Sequence, residues 1–322
     1  PALPGISTDV GLSRIYSQKE NLAHVVGYVG PVSDYYLERT QDPDPLLQIP
    51  RFQVGKTGVE AQIEQQLRGA AGHQHIEVNA VGRVMRELKR AEGKRGSAVK
   101  LTINSEIQNF ALERMDGLSA SAVVIDCESG DLLAVGSSPS FDPNLFVSGI
   151  SSDAYNVLQN DVFGPLRAKA IQGTYPPAST FKMVTALAAL ENGVIGSDET
   201  VFCPGHFDVA GNRFHCWKRQ GHGTMNLADS IIQSCDVFFY AIGQKVGIDK
   251  ISDMARRFGL GQHHDLPLSA VSRGVVPTPD WKQRSFDKGW LLGDTINTSI
   301  GQGYVLASPL QLAVMTARLG TG

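Results

Sequence analysis

The residues best suited by type and spacing to do chemistry are a serine and a lysine three positions apart, Ser179 and Lys182. Pro176 and Pro177 disfavour a helix before them, and an apolar run of good helix formers follows as far as Gly193. Ser179 is therefore predicted in the first turn of a buried helix, with Lys182 on the same side. A serine hydroxyl needs a base to become a nucleophile. Because burial among apolar groups favours the free amine of a lysine, the pattern predicts a nucleophilic serine activated by that amine.

The Ser-x-x-Lys spacing alone is weakly informative, because residues 97–100 and 285–288 also match it. The first match runs into an alternating stretch at residues 99–103 that predicts a strand, and the second lies in a polar loop. Only Ser179 opens a long apolar helix. The alternative is that Ser179 caps this helix and that Lys182 lies on the surface with its amine in water.

A second pair of polar residues, Ser234 and Asp236, lies where two predicted helices are interrupted, at residues 227–233 and 237–246. The same Ser-x-Asp spacing also begins at Ser7, Ser129, Ser140, Ser151 and Ser285. The position of the pair between two helices, and the aromatic residues that follow it, distinguish it from these other matches.

A third group combines three cysteines with a histidine: Cys203, Cys216, His222 and Cys235. Three thiolates and one imidazole suit tetrahedral zinc, with ligand atoms about 2.0–2.3 Å from the metal. The group therefore predicts a structural zinc ion. A disulfide, favoured by an oxidising compartment, and plain buried thiols are the alternatives, and His206 and His215 are substitute ligands.

The composition of the 322-residue chain excludes several classes of protein. Hydrophobic residues make up 42% of it, enough for a core, and a formal net charge of -3 gives no basic surface for nucleic acid or an anionic membrane. No run of about 18 apolar residues predicts a membrane span. Four cysteines do not make a disulfide framework in a chain of this length. Because the chain begins at Pro1 without a starting methionine or signal peptide, we expect a fragment or a processed form.

The order of the predicted elements indicates an α+β fold, because strands come first and a block of helices follows. Residues 1–96 differ from the rest and are predicted to be an accessory or pedestal region without a compact core of its own. The predicted elements are strands at residues 23–29, 99–103, 120–126 and 131–136, and helices at residues 59–68, 81–92, 106–115, 180–192, 227–233, 237–246, 250–258 and 308–319.

Several long segments resemble the class B penicillin-binding proteins, in particular those that act in cell elongation. They are residues 173–182, 234–240 and 299–313, supported by residues 120–143 and 294–299 and, in the front part, by residues 24–30 and 55–60. The resemblance covers most of the chain. It implies a penicillin-recognising, serine β-lactamase-like transpeptidase domain at residues 97–322, preceded by a pedestal region at residues 1–96.

The resemblance also implies a role for each polar residue singled out above. Ser179 corresponds to the acylated nucleophile and Lys182 to its base, although the group that deprotonates the serine is disputed in this superfamily. Ser234 corresponds to a proton-relay serine, and Asp236 stands where relatives often have asparagine. Ala178 replaces the usual glycine. Some relatives carry zinc at positions that match the cysteine and histidine group.

One family motif, Lys-Thr-Gly on a strand after the last helix, does not occur in that part of the sequence. Residues 55–58 spell it but match the pedestal, and a phosphate loop there would need a glycine where Pro50 stands. The motif supplies a strand beside the site, a cationic anchor for a carboxylate and half of the oxyanion hole. The transpeptidase domain is therefore expected to be C-terminally incomplete, which puts the activity of this chain alone in question.

The implied activity is peptidoglycan D,D-transpeptidation, in which a Ser179 acyl-enzyme formed from a D-Ala-D-Ala stem peptide cross-links glycan strands. Expected partners are the stem peptide, β-lactam antibiotics and membrane proteins of the elongation machinery, at the periplasmic face of the bacterial inner membrane; nucleic acid is not expected. A serine β-lactamase or D,D-carboxypeptidase is one alternative, opposed by the pedestal and by residues 299–313. A non-enzymatic penicillin-recognising sensor or scaffold is the other, and the absent third motif keeps it open.

Overall fold

The computed structural model describes residues 13–39, 44–49, 52–196 and 198–322. The chain divides into two compact units. The first contains the described residues up to Ala122 together with Ala134–Ala168 and Leu266–Ala270, and the second contains Val123–Leu133, Lys169–Asp265 and Val271–Gly322. The border predicted between residues 96 and 97 stays a prediction. In the described part of the chain, no helix combines the length and the apolar character needed to cross a membrane.

The front half of the chain alternates short helices with paired strands. In chain order the elements are α1 (Ala23–Val26), β1 (Val29–Pro31), α2 (Asp34–Arg39), β2 (Gln53–Gly55), α3 (Gly58–Gln62), α4 (Glu64–Arg68), β3 (His73–Val78), β4 (Val84–Ala91), α5 (Ser105–Arg114), β5 (Ala120–Ile125), β6 (Leu132–Ser138), α6 (Asn144–Val147) and α7 (Ser152–Asn160). The strands pair as β1 with β2, β3 with β4, and β5 with β6. The helix predicted at residues 106–115 and the strands predicted at residues 120–126 and 131–136 are confirmed.

An aromatic cluster forms a small core in the first unit. Tyr28 stacks on Phe146 with ring centroids 4.1 Å apart, and Phe141 meets Phe146 edge-on at 5.4 Å. Ala23 of α1 is buried in the same cluster. Residues before position 30 thus share a core with residues beyond position 140.

The predicted helix at residues 81–92 is wrong, because this segment is the second strand of the β3–β4 hairpin. The side-chain oxygen of Asn79 accepts hydrogen bonds from the backbone N–H groups of Val81 at 3.1 Å and Arg83 at 2.9 Å. Gly82 adopts a φ of 80°, which glycine accepts at no steric cost. This local turn reverses the chain and competes with helix formation.

Three further elements differ from the predictions. Residues 23–29 form helix α1 and then enter strand β1, because Gly27 with a φ of 80° ends the helix. The single helix predicted at residues 59–68 is two helices, α3 and α4, separated at Ile63, whose φ is -121° and ψ 30°. The strand predicted at residues 99–103 does not form, since this stretch pairs with no strand among the described residues.

The second half of the chain is mainly helical. Its elements are α8 (Lys169–Gln172), a 3-10 turn (Ala178–Phe181), α9 (Lys182–Glu191), β7 (Val201–Cys203), β8 (His206–Val209), β9 (Asn212–His215), β10 (Gly223–Met225), α10 (Leu227–Ile232), α11 (Asp236–Val246), α12 (Ile248–Arg257), α13 (Pro279–Phe286), α14 (Leu292–Ser299) and α15 (Pro309–Thr321). Antiparallel pairs join β7 with β10 and β8 with β9. The helices predicted from residue 180 onward are confirmed to within a few residues, and the fold is α+β as predicted.

Helix α11 is the centre of the second unit's core. Phe238, Phe239 and Ile242 are fully buried, and each contributes about 2 kcal/mol through the apolar area it removes from water. The helix packs against α9, α12 and α14. Gly243 permits the approach of α14, because a Cβ atom there would lie 2.4 Å from the Cβ of Ser299. Both ends of this helix are therefore held in place by packing, including the end that carries Asp236.

Candidate active site

Ser179 lies in the 3-10 turn that leads into helix α9, with its side chain exposed. Phe181, which is fully buried, anchors the turn in the core. Ala178 has a left-handed φ of 50°, and its backbone N–H donates to the carbonyl of Gly301 at 2.8 Å. Gly301 has a φ of 73°, and a Cβ there would lie 2.2 Å from the Ala178 carbonyl oxygen. A close backbone contact that requires glycine therefore positions the Ser179 turn.

Lys182, one turn further on, is buried with 3% of its surface exposed. Its Nζ donates to the carbonyl oxygen of Ser234 at 2.9 Å, to Ser234 Oγ at 2.8 Å and to Asp236 Oδ1 at 2.6 Å. A lysine ammonium has three N–H donors, so every donor has an oxygen acceptor. The alternative of a surface lysine is wrong. Lys182 is buried as expected, but its amine contacts three oxygen atoms rather than apolar groups alone. Ser179 does not cap the helix either, since no side-chain capping bond is present at this end.

Ser234 connects the serine and the lysine. It lies in the break between α10 and α11 with a left-handed φ of 52°. Its Oγ donates to Ser179 Oγ at 2.9 Å and accepts from Lys182 Nζ at 2.8 Å. Ser179 Oγ has no direct hydrogen bond to Lys182 among the described residues, so the two groups communicate through the Ser234 hydroxyl.

Asp236 completes the group at the first residue of α11. Its Oδ1 accepts from Lys182, and its Oδ2 accepts from the backbone N–H of Trp217 at 2.9 Å. A carboxylate at a helix N-terminus is stabilised by the helix dipole. The structure thus brings together the four residues predicted from two separate motifs in one hydrogen-bonded cluster.

Trp217 is a residue that the sequence analysis missed. Its Nε1–H donates to the carbonyl oxygens of Gln233 and Ser234, both at 3.1 Å. It lies in the loop between β9 and β10, where no periodic pattern marks it. Its position directly after Cys216, in a loop rich in cysteine and histidine, was the one indication in the sequence.

The predicted metal ligands also converge. One ligand atom from each of Cys203, Cys216, His222 and Cys235 lies within 4.8 Å of all the others. His222 Nδ1 is 3.6 Å from the sulfur of Cys203 and 3.5 Å from that of Cys216. Tetrahedral zinc with bonds of about 2.0–2.3 Å separates a sulfur from a nitrogen ligand by about 3.6 Å, which matches these distances.

The three cysteines of this cluster are free and buried, so the disulfide alternative is wrong for them. Burial raises the pKa of the Cys235 thiol, and the neighbouring Cys203 and Cys216 add to the effect. His206 and His215 lie opposite each other at the end of the β8–β9 pair and do not belong to the cluster. The donor set fits a metal ion that prefers thiolate and imidazole ligands.

Comparison with known proteins identifies the family. Residues 120–322 match the family described as the penicillin binding protein transpeptidase domain, and residues 1–101 match the penicillin-binding protein dimerisation domain. The chain is 40% identical to the peptidoglycan D,D-transpeptidase MrdA of Escherichia coli K12 over 96% of its length, which is 49% of that protein. It is 38% identical to MrdA of Haemophilus influenzae over 98% of its length, which is 49% of that relative.

Comparison with solved structures gives the same family as the sequence comparison. The structure of Helicobacter pylori PBP2 in complex with MreC superimposes with a TM-score of 0.90 at 35% identity, covering 96% of this chain and 57% of that one. Pseudomonas aeruginosa PBP2 in complex with WCK 5153 gives a TM-score of 0.84 at 35% identity, covering 97% of this chain and 65% of that one. The chain spans about half the length of the curated relatives it matches. The resemblance predicted from the motifs is confirmed, and the chain belongs to the penicillin-binding protein transpeptidase family.

Proposed function

We propose that the protein containing this chain is a peptidoglycan D,D-transpeptidase that works through an acyl-enzyme on Ser179. The observation that carries the proposal is the continuous hydrogen-bonded path from Ser179 Oγ through Ser234 Oγ to Lys182 Nζ. Such a path gives the serine proton a route to a buried amine, which is what a serine nucleophile requires. The MrdA relatives are peptidoglycan D,D-transpeptidases.

The reaction has two steps. For acylation, Lys182 first releases one of its three protons. Ser179 Oγ then forms a bond to the carbonyl carbon of the penultimate D-Ala of a stem peptide, its proton passes to Ser234 Oγ, and the proton of the Ser234 hydroxyl passes to the Lys182 amine. The carbon–nitrogen bond to the terminal D-Ala breaks, and this nitrogen takes up the proton. An amine of a neighbouring stem peptide then forms a bond to the ester carbon, the bond between this carbon and Ser179 Oγ breaks, and the proton lost by the attacking amine goes to Ser179 Oγ. The new peptide bond cross-links the two strands.

The remaining residues of the cluster prepare these steps. Asp236 holds the Lys182 amine against Ser234, and the left-handed turn at Ser234 points its hydroxyl at Ser179. The backbone N–H of Ser179 lies in the first helical turn, where N–H groups lack intrahelical acceptors, so it supplies one donor to the oxyanion. β-Lactams acylate the same oxygen and leave a stable ester.

The test uses the full-length protein and a fluorescent penicillin. We expect the wild type to be labelled and Ser179→Ala to remain unlabelled while still unfolding cooperatively. Undiminished labelling of Ser179→Ala would remove Ser179 from this role. Rapid hydrolysis of the penicillin would indicate a β-lactamase, release of D-Ala without cross-linking a carboxypeptidase, and no labelling of the wild type a non-enzymatic sensor or scaffold.

We also propose that the cluster of Cys203, Cys216, His222 and Cys235 holds a structural zinc ion. When bound, zinc crosslinks the loop between β7 and β10 to the start of α11 and supplies no chemistry to acyl transfer. Cys235 lies between Ser234 and Asp236, so this crosslink fixes both residues. Elemental analysis of the purified full-length protein is expected to give one zinc per chain, and a metal-free protein with thiol-reactive cysteines would contradict the proposal.

Finally, we propose that the protein acts at the periplasmic face of the inner membrane with membrane proteins of the elongation machinery. Solved complexes of relatives support such partners: one pairs Helicobacter pylori PBP2 with MreC, and another is described as a peptidoglycan synthase complex that coordinates polymerization and crosslinking. Affinity purification of the tagged full-length protein from membranes is expected to retain such partners. Recovery from the cytosol without them would oppose the assignment.

A further inference from the structure

Trp217 is held in an unusual way for a large aromatic residue. It is 63% exposed, so burial does not fix its position. Instead its backbone N–H bonds to Asp236 Oδ2 at 2.9 Å, and its indole Nε1–H bonds to the carbonyl oxygens of Gln233 and Ser234. Both of its N–H donors are therefore used within the segment of residues 233–236, which carries two of the four residues of the candidate active site.

The segment of residues 233–236, which Trp217 binds, is not stabilised by helical hydrogen bonds alone. Helix α10 ends at Ile232, so the carbonyl groups that follow have no intrahelical partners. Ser234 adds a left-handed conformation with a φ of 52°, which is strained for a residue other than glycine. The Ser234 carbonyl accepts from Lys182 Nζ on one side and from the Trp217 indole on the other. The indole thus supplies a second fixed donor to a strained turn.

Trp217 is itself anchored on its other side by the cysteine and histidine cluster. It follows Cys216, whose backbone N–H bonds to the carbonyl of Gly205 at 2.9 Å. Its ring meets the imidazole of His222 nearly edge-on, with centroids 5.3 Å apart. Trp217 therefore also has contacts within the loop of residues 203–222, and its indole joins this loop to the Ser234 turn.

From these contacts we propose that Trp217 is a positioning residue for acyl transfer: its indole N–H holds the Ser234 turn so that the Ser234 hydroxyl stays between Ser179 and Lys182. The proposal rests on the proposed function of Ser179. It assigns the indole N–H a part in the rate of acylation and none in initial substrate binding, because this N–H already bonds to the carbonyl oxygens of Gln233 and Ser234.

The test compares Trp217→Phe with the wild type in the full-length protein. Phenylalanine keeps an aromatic ring near His222 but lacks the N–H donor. Losing one neutral hydrogen bond is expected to slow the first-order acylation rate by a fluorescent penicillin about five- to tenfold, with an unchanged dissociation constant for the non-covalent complex. Trp290→Phe is the matched control, because it removes an indole N–H that bonds to Thr295 Oγ1 at 2.8 Å. We expect its acylation rate to stay within about twofold of the wild type.

The possible outcomes distinguish the positioning role of Trp217 from the proposed function of Ser179. A wild-type acylation rate in Trp217→Phe, or a change confined to the dissociation constant, would overturn the positioning role while leaving the proposed function intact. If Trp217→Phe does not fold, Trp217→Tyr, which also lacks the indole N–H, takes its place with the same expectation. Absence of Ser179 labelling in the wild type would overturn the proposed function, and the role of Trp217 with it.

Discussion

Replacing Gly301 by alanine is expected to displace the turn that carries Ser179. The new Cβ would lie 2.2 Å from the Ala178 carbonyl oxygen and 2.7 Å from the Cβ of Phe181, so one of the two segments must move. The left-handed φ of 73° adds about 1 kcal/mol. Overpacking against a buried neighbour costs about 1–3 kcal/mol, which brings the expected loss of unfolding free energy to about 2–4 kcal/mol.

Gly193→Ala is a matched control for this change. Gly193 has a similar φ of 62°, but no atom lies within 4 Å of an added Cβ, so only the backbone cost of about 1 kcal/mol applies. Urea unfolding of both variants measures the difference. In the full-length protein, Gly301→Ala is also expected to reduce penicillin labelling of Ser179, whereas Gly193→Ala is not. If Gly301→Ala loses no more stability than Gly193→Ala, the contact with Ala178 does not position the turn.

Three further predictions concern the surroundings of the site. Ala178→Gly is expected to raise the unfolding free energy by up to about 1 kcal/mol in urea, because glycine accepts the φ of 50° without strain; a loss of stability would contradict this. The hydrogen bond to Asp294 raises the pKa of Lys282 above its ordinary 10.5. This pair therefore stabilises the folded state fully below pH 10.5, and the stabilisation is lost as the pH rises through the pKa of Lys282 in the folded protein. The melting temperature of Lys282→Met should therefore fall less at alkaline pH than that of the wild type. The same pH dependence in both proteins would exclude the pair as the source of the wild-type decrease. Cys216→Ser is expected to lower zinc content and melting temperature, while Cys127→Ser, at an exposed cysteine, should change neither.

The elements that the sequence predicted well are those with strong local patterns. Helix α11 is apolar on nearly all faces, and the segment after Ser179 consists of good helix formers, so both were identified with little ambiguity. The β3–β4 hairpin was missed because Val81, Val84, Met85 and Leu88 have the spacing of one helix face, and only the turn formed by the side chain of Asn79 resolves the choice. Residues 99–103 have a strand pattern, but a strand also needs a neighbour.

The candidate site could be predicted in its members but not in its connections. Motif spacing identified Ser179, Lys182, Ser234 and Asp236, and composition identified the cysteine and histidine cluster. The order of the hydrogen bonds, with Ser234 between the serine and the lysine, depends on the left-handed turn at residue 234. A serine at this position does not by itself predict a left-handed conformation. Trp217 was missed because its contacts join a loop to a helix end that lies 16–19 residues further along the chain.

The Ser179 hydroxyl and the Lys182 amine differ in solvent exposure, and this difference has a chemical consequence. The Ser179 oxygen is open to solvent, whereas the Lys182 amine lies beneath the Ser234 turn with 3% of its surface exposed. In the proposed mechanism, an acyl donor arriving from solution therefore meets the Ser179 oxygen before the Lys182 nitrogen. Acylation of the nitrogen would form an amide, which resists aminolysis and would end turnover. In the proposed mechanism, burial of the amine and exposure of the hydroxyl direct acylation to the oxygen, and the product is an ester that a second amine can still open.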